Sequence, residues 1–181
     1  MTSDEAREKG AEGTPDGKRP LSPNTIYLFK ETRANKAYDA FLGALEEGYE
    51  GLLISRSPPA QVVEKHRLGK VLTLWLTGNK SPNQETLAPN EIGRMAAILT
   101  KFIQGNGHGA SPVRSVIMLD SIEYLIMQNN YQTILRLLHL LRDKIMIHPA
   151  ILIIPIDPLS LDPKEMRLFE KECEVLDTKD Y

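Results

Sequence analysis

Alternation is the feature that most restricts how this chain folds. From Ile26 onward, apolar runs of strand length are each followed by a segment whose apolar residues recur every three or four positions. A short unbroken apolar run bounded by turn residues suits a strand buried on both faces, whereas the 3.6-residue period marks a helix with one buried face. Strand-sized runs fall at Ile26–Phe29, Gly51–Ser55, Val71–Leu76, Val116–Leu119 and Ile151–Ile154. Parallel strands need helical crossovers between them, so the pattern predicts an α/β fold: a mostly parallel five-stranded sheet with helices on both faces, a three-layer sandwich. The fourth and fifth runs are apolar at successive positions and belong at the centre of the sheet.

The intervening segments carry recognisable helix signals. Ala34, Ala37, Tyr38, Phe41, Leu42 and Leu45 share one face, and Gly48 supplies a stop. Pro59 suits the first turn of a short helix ending near Leu68. A third face comprises Ile92, Met95, Ala96, Leu99, Phe102 and Ile103. A long helix is expected from Tyr131 to Ile147. Asp162-Pro163-Lys164-Glu165 then reads as an N-cap, a proline at the first helical position and a capping acid, opening a last helix with the face Met166, Phe169, Cys173 and Leu176. Residues 1–23 hold no apolar cluster and six Gly or Pro residues, the mark of a disordered tail. The remainder, 24–181, reads as a single α/β domain.

Bulk properties narrow the function. A net charge of −2 and a pI near 6.1 argue against nucleic acid as a partner. The lone cysteine, Cys173, rules out an internal disulfide and suits a reducing compartment. No apolar run approaches the roughly 20 residues of a membrane span, and the charged N-terminus does not look like a signal peptide, so a cytoplasmic location is expected. His66, His108, His139 and His148 lack metal-site spacing. Ser55 and Ser121 lack the glycine-flanked elbow of a serine nucleophile. Gly105, Gly107 and Gly109 precede a strand, whereas a dinucleotide loop follows one. No catalytic residue, metal or cofactor is therefore expected.

A ligand on a parallel sheet collects beyond the carboxyl ends of the strands. The polar residues there form a candidate rim: Lys30, Ser55, Arg56, Thr77, Asp120, Ser121 and Asp157. The strand Val116-Ile117-Met118-Leu119-Asp120 resembles the second nucleotide motif of ATPases of the RecA and KaiC type, in which the aspartate helps to hold magnesium. Its partner should be a GxxxxGK[ST] loop after the first strand, whose bare backbone converges on phosphate. The residues present, Phe29-Lys30-Glu31-Thr32-Arg33-Ala34-Asn35-Lys36-Ala37, include neither glycine nor a Lys-Ser or Lys-Thr pair, and Glu31 would repel a triphosphate. If a nucleotide bound nonetheless, Lys30, Arg33 and Lys36 would meet its phosphates and Asp120 its magnesium.

The long helix offers a different kind of site. Its apolar stripe from Ile134 to Ile147 is wider than the ~100° that covers a sheet. The excess either packs beneath the last helix or leaves Leu137, Leu138 and Leu141 as a partner interface.

Four stretches resemble an archaeal family of domains of unknown function, number eight hundred thirty-five. They are GYEGLLISRSPP (Gly48–Pro59), LTLWLT (Leu72–Thr77), VIMLDSIEYLIMQNNY (Val116–Tyr131) and IIPIDPLSLDPKEMRLFEKE (Ile153–Glu172). The resemblance implies a domain often joined to membrane or sensory modules, hence a signalling or docking role, and a layout similar to a RecA-like core without its phosphate loop. No such module is apparent in this chain, so a transmembrane role is not expected. The leading expectation is a non-catalytic interaction or regulatory module, a pseudo-ATPase in form, with protein partners, self-association among them. The alternative is a nucleotide-binding protein or ATPase with an unconventional loop.

Overall fold

The computed structural model describes residues 20–105 and 113–177. In chain order the elements are β1 (Thr25–Lys30), α1 (Asn35–Glu46), β2 (Glu50–Ser55), α2 (Pro59–His66), β3 (Leu72–Leu76), β4 (Thr86–Leu87), α3 (Ile92–Gln104), β5 (Ser115–Leu119), α4 (Ile122–Asn129), α5 (Tyr131–Ile145), β6 (Ala150–Ile156), α6 (Pro163–Glu170) and β7 (Glu174–Asp177). The strands form one sheet in the order β4-β3-β2-β5-β6-β1-β7, and every pairing is parallel.

The direction of each crossover sorts the helices into layers. Chain moving from β1 to β2 and on to β3 runs one way along the sheet; chain moving from β4 through β5 and β6 to β7 runs the other way. With a constant right-handed crossover, opposite directions place helices on opposite faces. Accordingly α1 and α2 pack on Tyr27, Phe29, Leu53, Met118 and Ile153. Helices α3 to α6 pack on the alternate residues Leu28, Ile54, Leu119, Leu152 and Ile154. Strands β5 and β6 are buried at every position, as their unbroken apolar runs require.

Seven strands stand where the apolar runs predict five. Strand β4 has two residues, too few to leave a hydrophobic pattern. Strand β7 was concealed by a spacing that mimics a helix. Met166 and Phe169 do lie on α6, capped by Asp162 through bonds to its Oδ1 from Lys164 N–H (2.8 Å) and Glu165 N–H (2.9 Å). The helix ends at Glu170, however, and Leu176 belongs to a strand that pairs with the outer edge of β1. That pairing satisfies backbone groups that β1 would otherwise leave open.

The long helix is also divided differently. Helix α4 precedes it, and Asn130 separates the two at φ 97°. The Asn130 Oδ1 accepts the Thr133 N–H at 2.9 Å, capping α5. Helix α5 stops at Ile145, two residues early, leaving Met146 and Ile147 exposed. Leu137, Leu138 and Leu141 are 5%, 3% and 0% exposed, in the core that α5 shares with the sheet and the neighbouring helices. They are core residues and cannot serve as a docking surface; α3 and α4 cover the width of the stripe. At the N-terminus, Leu21, counted with the tail, packs in the α1-side core, and the Ser22 N–H donates to the Tyr27 hydroxyl at 2.9 Å. The Gly105–Gly109 string lies almost wholly outside the described residues. Among the described residues no helix is long and apolar enough to cross a membrane.

Candidate functional site

The site begins with a proline in a central strand. In a parallel ladder the N–H and C=O of one residue point to the same neighbour, and successive residues alternate sides. Ile156 offers its carbonyl to the Glu31 N–H on the β1 side (3.0 Å), so the Pro155 nitrogen faces β5. It has no hydrogen to donate. Pairing of β5 with β6 accordingly stops at Met118↔Ile153, while pairing of β1 with β6 continues to Lys30↔Ile156. Beyond that point β5 keeps to β2, with the Asp120 N–H donating to the Ile54 carbonyl at 2.9 Å. The parted ends leave a cleft of about 310 Å³ at the carboxyl edge of the sheet, walled by the β1–α1 turn, the start of α4 and the chain after β6.

The β1–α1 turn carries the most informative contact. Glu31, 8% exposed, turns its carboxylate onto the first turn of α1: Oε2 accepts the Lys36 N–H (3.0 Å) and Oε1 the Ala37 N–H (2.9 Å). Those amides and the positive end of the helix dipole are the groups that would receive a phosphate. A carboxylate from the chain itself holds that place. Ala37 follows Lys36 where a phosphate loop has the Ser or Thr that binds magnesium.

Asp120 is engaged in a similar way. It continues the alternation of Val116 and Met118 and so faces α1, where the Tyr38 hydroxyl donates to its Oδ2 at 2.7 Å. Burial, reinforced by the negative charge of Asp120, pushes the Tyr38 phenol well above its ordinary value. The Tyr38 ring stacks on His66 at 3.8 Å and 11°. Burial and the neighbouring Lys65 lower the His66 imidazole, outweighing the attraction of Asp120 and Asp39.

Of the nine rim and phosphate-contact residues expected from the sequence, four line the cleft: Arg56, Asp120, Ser121 and Asp157. The Arg56 guanidinium lies over the Tyr124 ring at 4.3 Å, and its carbonyl accepts the Trp75 indole N–H at 2.9 Å. Ser121 opens α4 in a left-handed conformation (φ 80°, ψ 40°), a strained choice for a residue with a side chain. The Asp157 N–H donates to Glu123 Oε1 at 2.8 Å, while its own Oδ1 accepts the Leu159 N–H at 2.9 Å.

The other five lie elsewhere; Thr77, just after β3, donates its N–H to the Leu87 carbonyl at 3.0 Å. Lys30 shares the alternation of Ile26 and Leu28, points to the opposite face and pairs with Glu170 at 2.8 Å. Ser55 is fully buried, and its Oγ accepts the Ser57 N–H at 3.1 Å. Arg33 is exposed and Lys36 half-buried, neither lining the cleft. Sequence reasoning passed over Glu123, Tyr124 and Met127, which line it, because α4 was not assigned. Its signal was the spacing of Ile122, Leu125 and Ile126. Away from the cleft, burial pushes the Cys173 thiol up to about 12, as suits a packing residue. No group of three His, Cys, Asp or Glu residues among those described could hold a metal ion.

Comparison with known proteins adds three results. The family model described as "Protein of unknown function (DUF835)" matches residues 30–173. The chain belongs to that family. Solved structures share the parallel three-layer α/β fold of this DUF835 chain. The flagellar accessory protein FlaH from Methanocaldococcus jannaschii aligns with a TM-score of 0.58 at 11% identity, over 87% of this chain and 72% of FlaH. A Pyrococcus horikoshii OT3 protein, solved as project PH0250, aligns with a TM-score of 0.56 at 9% identity, over 87% of this chain and 83% of its own. At such identities the likeness is one of fold alone. No curated protein matches the DUF835 chain in sequence.

Proposed function

We propose that this DUF835 domain is a non-catalytic docking module with regulatory use, a RecA-like core that has given up nucleotide for a protein partner. One observation carries the reading: the Glu31 carboxylate occupies the amides of α1 that a phosphate would need. To seat a triphosphate there, the carboxylate would have to leave a buried, doubly bonded position and then repel its replacement. The Tyr38 bond to Asp120 supports the same conclusion, since it occupies an oxygen that would face the metal's hydration shell. What remains available to a partner is the cleft itself, with Arg56, Asp120, Ser121 and Asp157 at its walls.

Calorimetric titration of magnesium-ATP into the chain tests this. No saturable heat is expected. Micromolar binding abolished by Asp120→Asn would overturn the proposal in favour of a nucleotide site with an unconventional loop.

A further inference from the structure

The cleft has two chemical characters that together describe an occupant. Its walls carry acids. Asp120, Glu123 and Asp157 each spend one oxygen on a hydrogen bond within the chain, to Tyr38, the Asp157 amide and the Leu159 amide respectively. The second oxygen of each has no protein donor, and none of the three is in an ion pair, among the described residues. Among the described residues the one lining cation is Arg56, which lies over the Tyr124 ring. Two exposed apolar side chains stand near these acids: Met127, which lines the cleft, is 81% exposed, and Leu159, whose N–H donates to Asp157, is 91% exposed. Small-molecule sites enclose their ligand in mainly apolar walls. This cleft sets several carboxylates among its walls, beside the apolar Ala34, Pro155 and Ile156, with the exposed Met127 also lining it.

We infer that the cleft receives a protein segment in which a lysine or arginine is flanked by apolar side chains, the cation entering among Asp120, Glu123 and Asp157 while its neighbours cover Met127 and Leu159. The inference rests on the docking reading above and specifies the chemistry of the partner. Charge complementarity selects a basic segment over an acidic one, because like charges brought together in a cleft are strongly disfavoured. Arginine is favoured over lysine, since its fork can meet two carboxylates at once and its stem can lie along the exposed Met127.

Fluorescence anisotropy with three labelled dodecapeptides provides the test. Each has a Gly/Ser frame carrying three leucines that alternate with two arginines, two glutamines or two glutamates. The arginine peptide is expected to bind at least tenfold more tightly than the glutamine peptide, with a preference that shrinks as salt is raised. The variant E123Q/D157N removes two charges while keeping both hydrogen-bond acceptors, and should weaken arginine-peptide binding roughly three- to tenfold. The control E46Q/E47Q removes two exposed charges at the far end of α1, about 18 Å away along its axis, and should leave binding unchanged. Equal loss in both variants would show a net-charge effect and overturn the inference, as would failure of the arginine peptide to bind. Stronger binding of the glutamate peptide, lost on Arg56→Ala, would overturn it while leaving the docking reading intact. Magnesium-ATP binding in the titration above would remove the docking reading itself.

Discussion

Glu31 offers the sharpest test of how this fold is held together. Replacing it with alanine leaves the Lys36 and Ala37 amides without their acceptor at the head of α1. The helix has no side-chain cap of its own at Ala34, so nothing else takes over. Loss of a helix cap costs about 1 kcal/mol; loss of a buried charged acceptor that serves two donors brings the sum to about 2–3 kcal/mol. The favourable placement of a negative charge at a helix N-terminus contributes within that range. For a domain of this size each kcal/mol lowers Tm by about 2–4 °C, so Glu31→Ala should melt about 5–10 °C early. Glu31→Gln keeps one acceptor oxygen and should lose about half as much. The emptied amides should then accept an external anion: inorganic phosphate at tens of millimolar is expected to raise the Tm of Glu31→Ala and not that of the parent chain. Differential scanning calorimetry with and without phosphate reads both effects. A Glu31→Ala Tm within about 1 °C of the parent, with no phosphate dependence, would refute the argument that this carboxylate stands in for phosphate.

Two further perturbations probe the supporting structure. Tyr38→Phe removes the 2.7 Å bond to Asp120 and should cost about 1–3 kcal/mol in urea unfolding at neutral pH. Because the folded state holds the Tyr38 proton more tightly than the unfolded state, the parent chain should lose stability as pH rises past 10, where only the unfolded phenol ionises; the Phe variant should show a shallower alkaline decline. Leu141→Ala, at a fully buried site on α5, should cost about 2–5 kcal/mol by the same assay. A loss below about 0.5 kcal/mol would instead mark a surface position.

The legible parts of the fold were those whose pattern depends on burial alone. Strands β5 and β6 declare themselves because both of their faces are covered, and Asp162-Pro163 announces α6 because capping chemistry is local. Strand β7 was illegible for the converse reason: Phe169, Cys173 and Leu176 keep a helical spacing while the chain changes structure between them, a choice made by the open edge of β1. The rim was half legible. Strand ends could be located, but strand alternation sends Lys30 to the face opposite Asp120, and the parity of a residue near a turn is set by the register of the whole strand. The sequence marks Glu31 as an acid in the turn where a phosphate loop would lie. Its use as an internal replacement depends on a turn that folds back onto α1, which no local spacing reveals.

Pro155 has one more consequence. The gap between the ends of β5 and β6 follows from a missing hydrogen atom, so it is built into the fold and needs no visitor to open it. On the docking proposal, a partner would meet a berth already open and would spend no free energy on prising the sheet apart. On that proposal, selectivity among visitors would rest on their fit to the open berth, since the missing hydrogen bond leaves the sheet no pairing of its own with which to exclude them.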